Sequence, residues 1–179
     1  MSSHWAADSI RAVVERGLFN GLSEDTFAPD GGMTRSMMVT VLYRLAGQPV
    51  TKADSAFADV PADTWYTGAV AWAADSQIVT GTDSGFSPEN LVTREQMAVM
   101  LYQYAKLAGL APQADPERLQ AHTDAAEIDA WARDAMSWTV EQGLLGGYPD
   151  GTLRPQANAT RAEVSVVLLR LISLMPSGA

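Results

Sequence analysis

Three times along the chain a Trp is followed sixteen residues later by a Gly, then by an aromatic or Leu with Pro two places on, and then by a Thr-Arg pair. The copies read Trp5, Gly21, Phe27, Pro29, Thr34-Arg35; Trp65, Gly81, Phe86, Pro88, Thr93-Arg94; and Trp131, Gly147, Leu153, Pro155, Thr160-Arg161. An array with a period of about sixty residues is built from supersecondary units that bury their apolar faces on one another, and its function tends to lie in the grooves between them. The repeats are delimited as residues 1–50, 51–112 and 113–179.

Each copy is expected to hold two helices. The first begins just after the Trp: Ala6, Ile10, Val13 and Val14 recur at helical spacing and Gly17 is a candidate left-handed cap, with Met136, Val140 and Gly143 repeating this in copy three. Copy two has Gln77 in the glycine's place, so its helix end is expected to be strained or differently shaped. Trp72 and Trp138 match Ala12 of copy one.

Thr34, Thr93 and Thr160 stand where N-caps are placed. Glu163 completes a capping box with Thr160, Gln96 can do so with Thr93, and Met37 cannot with Thr34. The second helices carry apolar stripes, such as Val41, Leu42 and Leu45 with Met37 in copy one. Burial of each such side chain is worth about 1.5–3 kcal/mol. The eight methionines read as core fillers, and Pro116 at a first helical position predicts a short extra turn in the linker.

Composition narrows the partner. The net charge is −9 and the pI near 4.5. Residues 1–50 are close to balanced, with four Lys and Arg against five Asp and Glu. The acidic balance of the whole chain argues against a nucleic-acid backbone or an anionic membrane as the main partner, so any bound anion must be held at focused sites. There is no cysteine for a disulfide or thiolate zinc site, and no apolar run of membrane-spanning length. No metal or cofactor is expected: the loop from Gly147 to Gly151 lacks the alternating acids of a calcium site. His4 and His122 stand near no nucleophile pattern, so no catalytic residue is assigned.

The pattern Phe57-Ala58-Asp59-Val60, Trp65-Tyr66, Gly81, Phe86-Ser87-Pro88, Val92-Thr93-Arg94-Glu95, with Thr160-Arg161-Ala162-Glu163 in copy three, closely resembles the S-layer homology motif. The likeness runs through all three copies. It implies an all-α fold of three tandem helix-loop-helix repeats, arranged as a pseudo-threefold trimer with inter-repeat grooves. It also implies a non-enzymatic, extracellular module of a larger bacterial surface protein, anchored to an acidic cell-wall polysaccharide; in many relatives that polymer bears ketal-pyruvylated N-acetylmannosamine. The Phe-x-Asp-Val element becomes His122-Thr123-Asp124-Ala125 in copy three and is missing before His4-Trp5, so copy one is expected to be incomplete; its helix start, Met33-Thr34-Arg35-Ser36-Met37, also lacks the acidic residue, so its groove is expected to be the weakest.

Arginine at a first helical position faces the positive end of the helix dipole, at a cost of about 0.3–1 kcal/mol when exposed. Its recurrence as Arg35, Arg94 and Arg161 suggests an anionic partner, for which unpaired N–H groups at the helix start add donors. A guanidinium fork matches a carboxylate such as that of a pyruvyl ketal. The competing reading pairs each Arg with a local carboxylate, such as Asp59 or Asp124, to join the copies. Trp5, Trp65 and Trp131 are carried as ligand-binding candidates with faces for sugar rings, although their position at a helix start favours packing. Gly21, Gly81 and Gly147 are carried likewise, and the reading favoured for them is a positive φ in the turn. The alternative function is a protein-protein or self-assembly module of a surface layer without glycan binding.

Overall fold

The computed structural model describes residues 4–21, 26–51, 57–82 and 85–175. These contain helices α1 (Ala7–Glu15), α2 (Arg35–Leu45), α3 (Thr67–Asp75), α4 (Arg94–Leu107), α5 (Arg133–Glu141) and α6 (Arg161–Leu174), with short 3-10 turns at Pro116–Ala121, Ala125–Glu127 and Ala130–Ala132. Among the described residues the extended backbone forms only isolated bridges. The fold is therefore all-α, two α-helices per repeat.

The caps follow the side chains available to make them. Thr34, Thr93 and Thr160 each accept a hydrogen bond from the backbone N–H three residues on. Gln96 and Glu163 close full capping boxes, while α2 has the threonine bond alone. Gln77 does not reshape its helix end: its φ of 57° matches the 70° of Gly17 and 66° of Gly143. The reason is tertiary. Ile78 and Val79 are buried just as Leu18 and Phe19 are, and the N–H of Ile78 bonds back to the Ala73 carbonyl at 2.8 Å, which fixes the left-handed turn for whatever residue stands there.

Around the pseudo-threefold axis the residues before the Thr-Arg pairs close a ring of backbone hydrogen bonds. Met33 N–H donates to the Ala159 carbonyl at 2.9 Å, Ala159 N–H to Val92 at 2.9 Å and Val92 N–H to Met33 at 2.8 Å. All three side chains are fully buried. Each helix start then docks on the next repeat. The N–H groups of Arg35 and Ser36 bond the carbonyls of Asn90 and Pro88; those of Arg94 and Glu95 bond Ala157 and Pro155; and those of Arg161 and Ala162 bond Gly31 and Pro29. The expectation of unpaired N–H donors at these helix starts is thus corrected: neighbouring carbonyls occupy them, because a buried N–H without a partner would be costly.

Helices pair across repeat boundaries: α3 packs on α2, α5 on α4, and α1 closes the ring on α6. Trp72 and Trp138 are buried in two of these pairs, with Trp72 against Tyr43 and Tyr104 and Trp138 against Tyr102. In the third the matching residue is Ala12. Val14, read as part of the α1 core stripe, is exposed.

Asp59 and Asp124 clamp the loops that receive the helices. Asp59 accepts from the N–H groups of Phe86 and Ser87 at 2.8 and 2.6 Å, and Asp124 from those of Leu153 and Arg154 at 2.8 and 2.7 Å. Each clamp holds a left-handed non-glycine residue, Ser87 at φ 58° and Arg154 at 51°, and Ala28 at 50° is their counterpart in repeat one. Such a conformation costs about 1–2 kcal/mol per residue, and the clamps offset part of it.

Two predictions come from this framework. Gln77→Gly relieves the left-handed strain and should raise the unfolding free energy by about 1 kcal/mol in denaturant titrations. The backbone donors of Phe86 and Ser87 hold the Asp59 carboxyl below its ordinary 3.8. Its contribution is therefore complete above that value and is lost as pH falls through the lower folded value. Thermal melts between pH 7 and 2.5 should show a shallower acid limb for Asp59→Asn than for the wild type.

Candidate functional site

The three arginines reach across the seams in one rotational sense. Arg35 Nε donates to the Phe86 carbonyl at 2.7 Å and Nη2 to that of Thr80 at 3.4 Å, both in repeat two. Arg94 uses the same two atoms on Leu153 at 2.8 Å and Gly146 at 3.0 Å in repeat three. Arg161 does so on Phe27 at 2.8 Å and Asn20 at 2.9 Å in repeat one. Each guanidinium also lies over an aromatic ring of the receiving loop: Phe86 at 4.8 Å, Tyr148 at 5.0 Å and Phe27 at 4.5 Å.

The joining role proposed for carboxylates thus falls to main-chain carbonyls. Among the described residues, only Arg94 of the three makes an ion pair, with Glu163 at 2.7 Å. Asp59 and Asp124 are spent on the loop N–H groups, although the charge of Asp59 is felt at Arg35. The dipole cost at each first helical position is offset by these carbonyls, so the position alone does not call for a ligand.

An open groove nevertheless lies beside each guanidinium, and each is assembled from all three repeats. Groove one, about 350 Å³, combines Arg161 of repeat three, Trp65 of repeat two, and Gly21 with the α2 face of repeat one. Groove two, about 460 Å³, combines Arg35, Trp131, and Gly81 with the α4 face. Groove three, about 240 Å³, combines Arg94, Trp5, and Gly147 with the α6 face. All nine candidate residues line these three hollows, one Arg, one Trp and one Gly in each.

The packing reading of the tryptophans is overturned. Trp5, Trp65 and Trp131 are 67%, 61% and 57% exposed. They precede the first helices, whereas the buried tryptophans, Trp72 and Trp138, stand seven residues further on within them. The positive-φ reading is also corrected for Gly81 and Gly147. Gly81 and Gly147 are absent from the left-handed residues, and a Cβ would strike the Phe57 ring at Gly81 and meet His122 Cε1 at 3.1 Å at Gly147. They are small because a ring packs behind them, which lets the backbone form the groove floor.

Sequence reading missed a further set. The second helix shows each groove one face at i, i+3, i+4, i+7 spacing: Met37, Thr40, Val41, Arg44; Gln96, Val99, Met100, Gln103; and Glu163, Val166, Val167, Arg170. Aligning the three second helices on their Thr-Arg pairs would have exposed this face, whose middle is apolar except for Thr40 and whose ends vary in charge. Met37, read as core, belongs to it.

Electrostatics differ among the grooves. Burial alone lowers the Arg161 guanidinium from its ordinary value, and lowers Arg44 likewise. Arg35 is lowered by burial and partly restored by Asp59. In groove three Glu163 also accepts from Tyr148 at 2.9 Å, and burial is the main reason the Tyr148 hydroxyl titrates high. The exposed indoles predict a clean contrast. Trp65→Ala should change unfolding free energy by no more than about 0.5 kcal/mol, while Trp72→Ala should cost about 3–5 kcal/mol in the same denaturation experiment.

A family model described as the S-layer homology domain matches residues 1–36, 56–98 and 123–165. Over 92% of its length the chain is 28% identical to the S-layer protein sap of Bacillus anthracis, covering 20% of that protein. It is 26% identical over 84% of its length to the cellulosome-anchoring protein of Acetivibrio thermocellus, covering 34% of it. It is 27% identical over 96% of its length to an amylopullulanase of Thermoanaerobacterium thermosulfurigenes, covering 9% of it. The chain spans about a third or less of each of these relatives.

Proposed function

Because this chain belongs to the S-layer homology domain family, we propose that it is a non-covalent cell-surface anchor that grips an acidic, pyruvylated wall polysaccharide in its inter-repeat grooves. The coarser part rests on membership. Matching stretches occur in S-layer proteins and in a protein named for anchoring the cellulosome, and the module acts outside the cell at the bacterial wall or surface layer. Enzymes among the relatives share this stretch over a small part of their length, in keeping with an anchoring role separate from catalysis. By the same proportion, this chain is read as the wall-binding part of a larger surface protein.

The observation that carries the finer reading is the repeated pairing of a half-buried or buried guanidinium with an exposed indole across an open groove. A guanidinium has five N–H donors, and at Arg35 and Arg161 the neighbouring carbonyls use only part of the fork. An incoming carboxylate supplies the negative charge that burial has left missing, and it forms charge-assisted bonds stronger than neutral ones. The indole offers an apolar face to a sugar ring, the contact all three grooves can share, since the Trp131 N–H already donates to Asp129 at 3.1 Å. A neutral glycan would use the indole and leave the charge uncompensated.

Since each arginine also holds a seam, the ligand's acid group is a cleaner variable than alanine at these positions. Purified wall polymer should retain the chain in sedimentation assays, and chemical removal of its pyruvyl groups should weaken binding at least tenfold, as expected for loss of a charged hydrogen-bond partner. Equal retention by both polymers would remove the acid-recognition mechanism. Defined oligomers without polymer uptake would favour the self-assembly module instead.

A further inference from the structure

The three grooves share a frame but not a charge, and the difference lies at the two ends of the helix face that walls each one. At the first position stand Met37, Gln96 and Glu163; seven residues on stand Arg44, Gln103 and Arg170. In groove three Glu163 lies 2.7 Å from Arg94, so that guanidinium enters with its counter-ion already in place. In groove one the equivalent neighbour of Arg161 is the Met37 sulfur at 3.8 Å, which brings no charge. Arg161 is only 4% exposed.

Groove one also has a second cation. Arg44 is half-buried at the far end of the same wall and donates from Nη1 to the Leu18 carbonyl at 3.2 Å. Neither Arg44 nor Arg161 forms an ion pair among the described residues. Arg170 holds the corresponding place in groove three but is exposed and donates to the carbonyls of Gly143 and Leu144. In groove two the place is taken by neutral Gln103.

We propose that groove one, built on the repeat whose motif is most eroded, is the dominant anion site of this chain, and that Arg44 is its specificity-determining residue. This rests on the polysaccharide reading above and reverses the expectation that copy one's groove is the weakest. The missing acid at position 37 weakens the α2 cap but leaves Arg161 without a counter-ion among the described residues. Two guanidinium groups along one wall, about two helical turns of it, suit a polymer segment carrying two acidic groups better than one carrying a single acid. Groove two, with one cation and no acid among its described lining residues, ranks second, and groove three, neutralised at Arg94, ranks last.

The test is a titration of the chain with a pyruvylated disaccharide, read by the indole N–H resonances of Trp65, Trp131 and Trp5, one per groove. The Trp65 resonance should saturate first and Trp5 last. Arg44→Gln should raise the ligand concentration needed at Trp65 about tenfold, the effect of one charged hydrogen bond, and Gln103→Arg should lower that needed at Trp131. Arg170→Gln should leave the Trp65 response within about twofold, because charges in separate grooves are largely screened from each other.

Met37→Glu separates binding from folding. It completes a capping box with Thr34, so it should raise the melting temperature while weakening binding at Trp65, a pair of opposite effects that general destabilisation cannot produce. The assignment is overturned if Trp131 or Trp5 saturates first, or if Arg44→Gln and Met37→Glu leave the Trp65 titration unchanged. A ligand that moves none of the three resonances overturns the acidic-glycan reading itself.

Discussion

Everything in this molecule hangs on three backbone hydrogen bonds that join Met33, Ala159 and Val92 into a closed ring at the pseudo-threefold axis. Because the ring comes directly before the Thr-Arg pairs, it fixes where three second helices begin and which loop each one meets. The helix-start N–H groups and the arginine side chains then saturate the carbonyls of the next repeat's Phe-x-Pro or Leu-x-Pro loop. No repeat completes its own helix start. Closure of the ring and formation of the grooves are therefore one event.

This arrangement gives the arginines two tasks that use different parts of one side chain. Nε and one Nη are turned inward on neighbouring carbonyls, and the remaining fork borders a hollow. Burial makes the charge expensive in both tasks. At Arg94 an internal carboxylate relieves that cost, and at Arg161 none among the described residues does. A repeat protein can in this way keep three seams with the same backbone bonding while tuning three grooves separately, since that bonding depends on the backbone and the tuning on the ends of one helix face.

Local features were legible in the sequence because their causes are local. The threonine caps, the boxes through Gln96 and Glu163, and the turn at Pro116 all depend on residues within one helical turn. The repeat spacing also disclosed the family and singled out nine residues that the fold gathers along the three grooves, although packing was the favoured role for the three tryptophans and a turn for the three glycines. What stayed hidden is long-range. Nothing near Arg161 in the chain indicates that its guanidinium reaches Asn20 and Phe27, or that Met37 from another repeat is its neighbour. Trp65 and Trp72 look alike as apolar residues at a helix, and only the packing of α3 on α2 separates the exposed one from the buried one. Gly81 is explained by Phe57, twenty-four positions away.

The most direct measurement is a crystal structure of the chain bound to a pyruvylated disaccharide. The account predicts a pyruvyl carboxylate within hydrogen-bond distance of the outward-facing nitrogens of Arg161, the sugar ring against Trp65, and the ring of backbone bonds at Met33, Val92 and Ala159 undisturbed. A sugar bound on the outer surface away from every inter-repeat groove, or seated in a groove with its carboxylate turned to solvent, would contradict it.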